Sequence, residues 1–269
     1  MSLDDNLGQN VAQTEVLPAS VPQPEHRPVA WWLHTVVLLV VVFGVSYLGS
    51  RTPHRQTRSE YQNLHYLFQM AMEWLIVGYV YLGIRRRGFR LSDIVGGDWK
   101  FREILRGKWD SLLDILLDIA IAAAFWIVSL IILGVLGHFL GLGGANGIGD
   151  AKEKLGSLAP RTVAQLLMFI PLSITAGFCE EVIFRGYLQR QFTALARTEV
   201  VGILLQAIVF GLGHGYQGGR RMLLLAVYGA MFGILATARK SLRPGMIAHA
   251  WQDAFAGVVM YVLFVVMKK

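Results

Sequence analysis

Seven stretches of the chain are apolar at nearly every position rather than on one face. They cover about residues 31–49, 66–84, 111–141, 162–190, 199–213, 222–238 and 245–266. Most approach or exceed the roughly 20 residues a helix needs to cross the hydrocarbon core of a bilayer. A membrane barrel would instead alternate apolar and polar positions in segments of about ten residues, and no such alternation is visible. The pattern predicts an all-α, polytopic transmembrane helix bundle of seven spans, or eight if residues 162–195 break in two. The last four stretches have short connections, so their helices are expected to pack as neighbours.

Polar sequence punctuates the spans. Residues 1–28 are polar, Pro-containing and aperiodic, which predicts a disordered N-terminal tail. No basic start precedes an apolar core there, so a cleaved signal peptide is not expected. Residues 85–110 open with "RRRGFR" and form a basic loop, and "GLGGANGIGDAKEKLGSLAPRT" (141–162) reads as a Gly-rich loop. Beyond the tail, residues 29–160 hold the first spans and the basic loop, and 161–269 hold the rest of the same membrane domain.

Composition sharpens this reading. The chain is 54% hydrophobic and 16% charged, with a mean hydropathy of +0.48, whereas a soluble domain carries roughly 25% charged residues. The net charge of +7 is concentrated in loops, without interleaved aromatics. That suits anionic headgroups and topology control, and no nucleic-acid partner is expected. With the N-terminus in the cytoplasm, 14 Lys and Arg fall in cytoplasmic segments and 10 on the other side, the orientation the positive-inside rule favours. The single cysteine, Cys179, allows no intramolecular disulfide and reads as a small buried hydrophobe.

Charged residues inside apolar spans are functional candidates, because each is costly unless paired or hydrated. In "CEEVIFR" (179–185), Glu181 and Arg185 are four apart on a helix and can pair, a structural arrangement as readily as a functional one. Glu180 points about 100° away and has no local cation, which suits a general base or acid. His214 ends an apolar stretch among glycines that permit close helix approach. His249 and Asp253 are four apart, so Asp253 can fix the tautomer of the imidazole. Glu73 is isolated and could neutralise an arginine such as Arg185. Asp110, Asp114 and Asp118 form one stripe that reads as facing water or basic loops. "GIGD" (147–150) matches a Gly-x-Gly-Asp motif but lies in hydrophilic sequence, without a matching Tyr-Asp.

Taken together, "EEVIFR", "FGLGH" (210–214) and "HAWQD" (249–253) resemble, in order and spacing, the motifs Glu-Glu-x-x-x-Arg, Phe-x-x-x-His and His-x-x-x-Asn/Asp. These are the motifs of the CPBP (CAAX protease and bacteriocin-processing, or Abi) family, which includes the type II CAAX prenyl endopeptidases. The resemblance covers about residues 160–266. It implies an intramembrane glutamic endopeptidase, without metal or other cofactor, acting on a membrane protein or lipidated peptide. By that resemblance Glu180 and His214 activate a water, His249 with Asp253 serves the oxyanion, and Glu181, Arg185 and Phe210 support them. Asp253 stands where the prenyl-protease branch tends to have Asn. An ionised Asp cannot donate to an oxyanion, so it would orient His249, and a prenylated substrate is less firmly implied. The expected location is the bacterial inner membrane.

Three other readings use the same residues. A zinc-dependent protease would employ Glu and His as ligands, although His-Glu-x-x-His is absent. A non-catalytic partner-binding or bacteriocin-immunity protein has little use for all three of Glu180, His214 and His249. A proton-relay transporter finds no inverted repeat or interrupted helix pair in its favour. Oligomeric state is not legible.

Overall fold

The computed structural model describes residues 27–51, 61–97 and 109–267. All but the last two residues of the predicted tail, and the middle of the basic loop, lie outside that range. The helices in chain order are α1 (Trp32–Arg51), α2 (Gln62–Arg85), α3 (Leu91–Val95), α4 (Trp109–Phe139), α5 (Gly144–Leu155) and α6 (Val163–Glu180). A π-helical stretch, Glu181–Gln189, continues α6 into α7 (Arg190–Ala196). Then come α8 (Glu199–Gly213), α9 (Gly219–Arg239) and α10 (Arg243–Tyr261), which ends in a π-helical turn, Val262–Val266. The described residues contain no strand.

Six helical runs are long and apolar enough to cross a membrane: α1, α2, α4, the joined run Val163–Ala196, α9 and α10 with its π turn. The protein is an integral membrane protein. The seventh apolar stretch is α8, whose 15 residues span only about 22 Å, short of the roughly 30 Å hydrocarbon core. The 162–195 segment does not break in two; it changes helical pitch instead.

Exposure separates lipid-facing from buried helices. On α1, Leu33 and Val40 are 75% and 66% exposed, as expected of a helix whose solvent is lipid. All nine residues of the π stretch are buried, so this segment runs through the middle of the bundle. It packs against α2, α3, α8 and α9. The main core gathers Leu38, Val77, Val80, Ile84, Val182, Tyr187, Leu188 and Phe210 around it.

Local sequence sets several ends. The Thr162 side chain accepts a hydrogen bond from the Gln165 amide (3.2 Å) and caps α6. Pro244 lies in the first turn of α10, where its missing N–H is no loss. Gly96 ends α3 at φ +89°, and a Cβ there would lie 2.4 Å from the Lys240 carbonyl oxygen. Glycine therefore lets α3 dock on the α9–α10 corner, where the Leu242 amide donates to the Val95 carbonyl (2.8 Å).

Two expectations change. Within the Gly-rich segment, residues 144–155 form the helix α5 rather than a loop. Asp150 of "GIGD" sits on it and forms an ion pair with Arg221. In the acidic stripe on α4, Asp118 is buried and meets Arg243 Nε at 3.0 Å and Arg239 Nη2 at 3.8 Å, while Asp114 is exposed.

Candidate active site

Glu180 closes the last α-helical turn of α6, and Glu181 opens the π stretch. Stretches of i→i+5 helix are rare and often found at functional sites. Here the stretch keeps Glu181 and Arg185 on one side, with Arg185 Nη1 donating to Glu181 Oε1 at 2.9 Å. Both side chains are excluded from solvent. The guanidinium lies over the rings of Phe210 (4.4 Å) and Phe232 (4.8 Å), and its Nη2 donates to the Gly229 carbonyl at 3.3 Å. Aromatic faces and a backbone oxygen thus replace water around the cation.

The same Glu181 oxygen accepts from a second helix. His249 Nδ1, on α10, lies 3.0 Å from Glu181 Oε1, so the ionised carboxylate fixes the proton on Nδ1. The opposite nitrogen, Nε2, faces Glu180 Oε2 at 3.7 Å and Asp253 Oδ2 at 3.8 Å. Asp253 therefore does not orient His249 as the i,i+4 spacing suggested. Glu181, 68 residues away in sequence, takes that place, and Asp253 stands beside Glu180 at the other nitrogen. The two longer separations exceed a direct hydrogen bond, and a shared oxygen atom between the groups can bridge them. The Phe232 ring stacks on the imidazole, with centroids 5.1 Å apart.

His214 caps α8. Its Nδ1 is 2.8 Å from the Phe210 carbonyl, an acceptor only, so Nδ1 carries the proton and Nε2 presents a lone pair. Phe210 is the hub: its ring contacts His214, His249, Phe184 and Arg185. Asp253 lies within electrostatic reach of His214, His249 and Glu180. The structure thus brings Glu180, Glu181, Arg185, Phe210, His214, His249 and Asp253 into one neighbourhood built from α6, the π stretch, α8 and α10. Glu180 is 19% exposed and its Oε2 is buried without a hydrogen-bond donor.

Close helix approach makes this convergence possible. A Cβ at Gly177, one turn before Glu180, would lie 2.8 Å from both the Ala250 nitrogen and the Met246 oxygen. On α10 a Cβ at Gly245 would lie 3.2 Å from Glu181 Oε2. These two glycines let α6 and the π stretch touch the α10 backbone around His249.

Two further residues join the group. Glu73 on α2 does not meet Arg185; its Oε1 accepts from Gln69 Nε2 (3.4 Å), and Oε2 is buried without a donor. It interacts electrostatically with Glu180, Asp253 and His249, because α2 runs along α6 with Trp74 stacked on Phe178 at 5.3 Å. Tyr216, in the turn between α8 and α9, feels Glu180, Asp253 and Glu73. Desolvation foremost, and then those negative charges, push its hydroxyl up to about 12, so it stays a protonated donor. Tyr216 sits two residues after His214 in the Gly-rich stretch, its one sequence signal. Among the described residues no group of three or more His, Cys, Asp or Glu is arranged to hold a metal ion.

Residues 162–255 match the family model described as Type II CAAX prenyl endopeptidase Rce1-like. The match contains all three motifs and with them Glu180, Glu181, Arg185, His214, His249 and Asp253. Over those residues the chain is similar to the type II CAAX prenyl endopeptidases, in line with the resemblance its three motifs carry. The first 161 residues lie outside the match. No curated protein and no solved structure matches the chain.

Proposed function

We propose that the protein is a glutamate-dependent, metal-independent intramembrane endopeptidase whose nucleophile is a water activated by Glu180 and His214. The observation that carries this reading is the disposition of His249. Glu181 holds one ring nitrogen at 3.0 Å, and the other faces Glu180 at 3.7 Å. An imidazole held in this way sits beside a carboxylate whose buried Oε2 has no donor among the described residues.

Peptide hydrolysis needs a base for the water proton, a donor for the developing oxyanion and a proton for the leaving amine. Glu180 takes the proton from water and returns it to the amine nitrogen as the C–N bond breaks. His214 offers its Nε2 lone pair to the water's second hydrogen. For His249 to donate from Nε2 to the oxyanion, both ring nitrogens must carry protons. The reading therefore commits to an imidazolium in this step, with Glu181 and Asp253 as its counter-charges. Asp253, acceptor-only when ionised, does not itself donate to the oxyanion. The substrate is a membrane-associated protein or lipidated peptide. The location is a bacterial inner membrane, with the N-terminus and the basic helix ends in the cytoplasm.

The test uses full-length protein in proteoliposomes with prenylated and unprenylated CAAX peptides. Glu180→Gln is expected to lower cleavage by about 10²–10⁴-fold while thermal unfolding is unchanged. Cleavage by that variant near the parent rate would overturn the mechanism. A strong chelator is expected to leave the rate within twofold, and loss of activity restored by Zn²⁺ would establish the metal-dependent alternative.

A further inference from the structure

The turn 215–218 between α8 and α9 carries a phenol, Tyr216, that takes no part in the proton transfers of Glu180 and His214. Its backbone is held tightly: the Gln217 amide donates to the His214 carbonyl at 2.9 Å, and the Gly218 amide to the Gly215 carbonyl at 3.0 Å. From α1 the Ser46 hydroxyl donates to the Leu212 carbonyl at 2.6 Å and accepts from the Gly215 amide at 3.1 Å. A Cβ at Gly49 would lie 3.3 Å from the Tyr216 Cβ, so α1 packs directly on the tyrosine stem. We propose that Tyr216 is a catalytic residue: its hydroxyl donates a hydrogen bond to the tetrahedral oxyanion, as a second donor beside His249. The inference rests on the reading of Glu180 and His214 as the pair that activates water.

The hydroxyl has a proton to give. Gln217 Nε2 donates to the phenol oxygen at 3.1 Å, which leaves the phenol's own proton for another partner. Among the described residues no acceptor takes it. The Tyr216 ring lies beside the His214 ring, with centroids 6.0 Å apart and planes at 35°. Of the charges around it the phenol feels Glu180 first, then Asp253 and Glu73. Glu180 and Asp253 are also the carboxylates that face His249 Nε2, so phenol and imidazole converge on one volume. Tyr228, the other phenol near His249, feels Asp253, Glu181 and Arg185 instead.

The chemistry calls for such a donor. Glu180, Asp253 and Glu73 only accept when ionised, and the His214 Nδ1 proton is committed to the Phe210 carbonyl. Arg185 is stacked on Phe210 and Phe232 and bonded to Glu181. Beside His249, Tyr216 is the donor that shares the surroundings of Glu180. As the water oxygen bonds to the carbonyl carbon and Glu180 takes a water proton, the π pair of the C=O moves onto its oxygen. Tyr216 shares its proton with that oxygen without releasing it. The pair returns as the C–N bond breaks and Glu180 hands its proton to the amine. A phenol held at a tight turn is set in place before the charge develops, which is what makes an oxyanion donor effective.

The experiment uses full-length protein in proteoliposomes and a prenylated CAAX peptide. Tyr216→Phe keeps the ring and loses the hydroxyl, so it should unfold at the parent temperature. Its kcat is expected to fall about 10²–10³-fold, the cost of one oxyanion donor, with KM unchanged. Tyr228→Phe is expected to cost far less. A phosphonamidate analogue of the peptide, whose charged oxygen copies the oxyanion, should bind Tyr216→Phe about tenfold more weakly than the parent. That measurement needs no turnover. Parent kcat in Tyr216→Phe, while Glu180→Gln is inactive, overturns the role of Tyr216 and leaves the protease reading standing. A lowered kcat with unchanged analogue binding overturns it too, since the phenol would then act through the structure alone. So does a loss that falls on Tyr228→Phe instead. Parent rates in Glu180→Gln overturn the protease reading itself, and this inference with it.

Discussion

Removing the Arg185 guanidinium while leaving Glu181 in place tests how the centre of the bundle is held. In Arg185→Met the Glu181 carboxylate, 0% exposed, loses its 2.9 Å ion pair and keeps only the His249 contact. Breaking one side of a buried pair costs about 3–5 kcal/mol, because the remaining charge is left uncompensated. The lost stacking on Phe210 and Phe232 pushes the value toward the upper end. At about 2–4 °C per kcal/mol for a chain of this size, Tm should fall by roughly 6–20 °C. The double variant Glu181→Leu/Arg185→Met removes both charges and should recover most of that loss, since a well-packed apolar replacement of a buried pair is often neutral. It should nevertheless cleave about 10²-fold more slowly, because His249 Nδ1 has lost the acceptor that positions it and small misplacements cost that much. Thermal unfolding in detergent and peptide cleavage in proteoliposomes read the two effects separately. The reasoning is refuted if Arg185→Met unfolds within 2 °C of the parent, or if the double variant is no more stable than the single one.

Other expectations follow from the same geometry. Gly177→Leu should destabilise by about 1–3 kcal/mol, as overpacking does, because its Cβ would press on the α10 backbone; an unchanged denaturation midpoint would contradict it. His214→Ala should lower kcat by about 10²–10⁴-fold with Tm little changed, since among the described residues its ring hydrogen-bonds to the Phe210 carbonyl one turn back. Glu73→Gln should raise stability by about 1 kcal/mol, because it removes a carboxylate set among like charges, and should slow cleavage, a trade typical of active-site groups. Loss of stability in that variant would show that Glu73 is held by a favourable contact.

The fold class and the outline of the site were legible because their signals are local. Helices in lipid satisfy their own backbone groups, so runs of apolar residues predict spans directly, and the run 199–213 was found even though α8 is too short to cross alone. The Glu181–Arg185 pair was likewise readable from i,i+4 spacing. The Gly-rich segment misled because glycine has low intrinsic helix propensity. Yet α5 forms, and Asp150 on it is tied to Arg221 of α9. Tertiary contact outweighs propensity there.

By itself, then, the sequence determined that this is a helical membrane protein, which residues are the candidates for its chemistry, and which of them share a helix face. Only the tertiary structure decided how those residues divide between the two nitrogens of His249. The spacing pointed to Asp253 as the residue that orients the ring, but Glu181 accepts from Nδ1 across 68 residues of sequence. It can do so because Gly177 and Gly245 let two helix backbones approach closely. The same packing turned Glu73 away from Arg185 and toward Glu180, and brought Tyr216 to the site. Periodicity fixes where a side chain points on its own helix, whereas the distance between helices depends on what every intervening residue leaves room for.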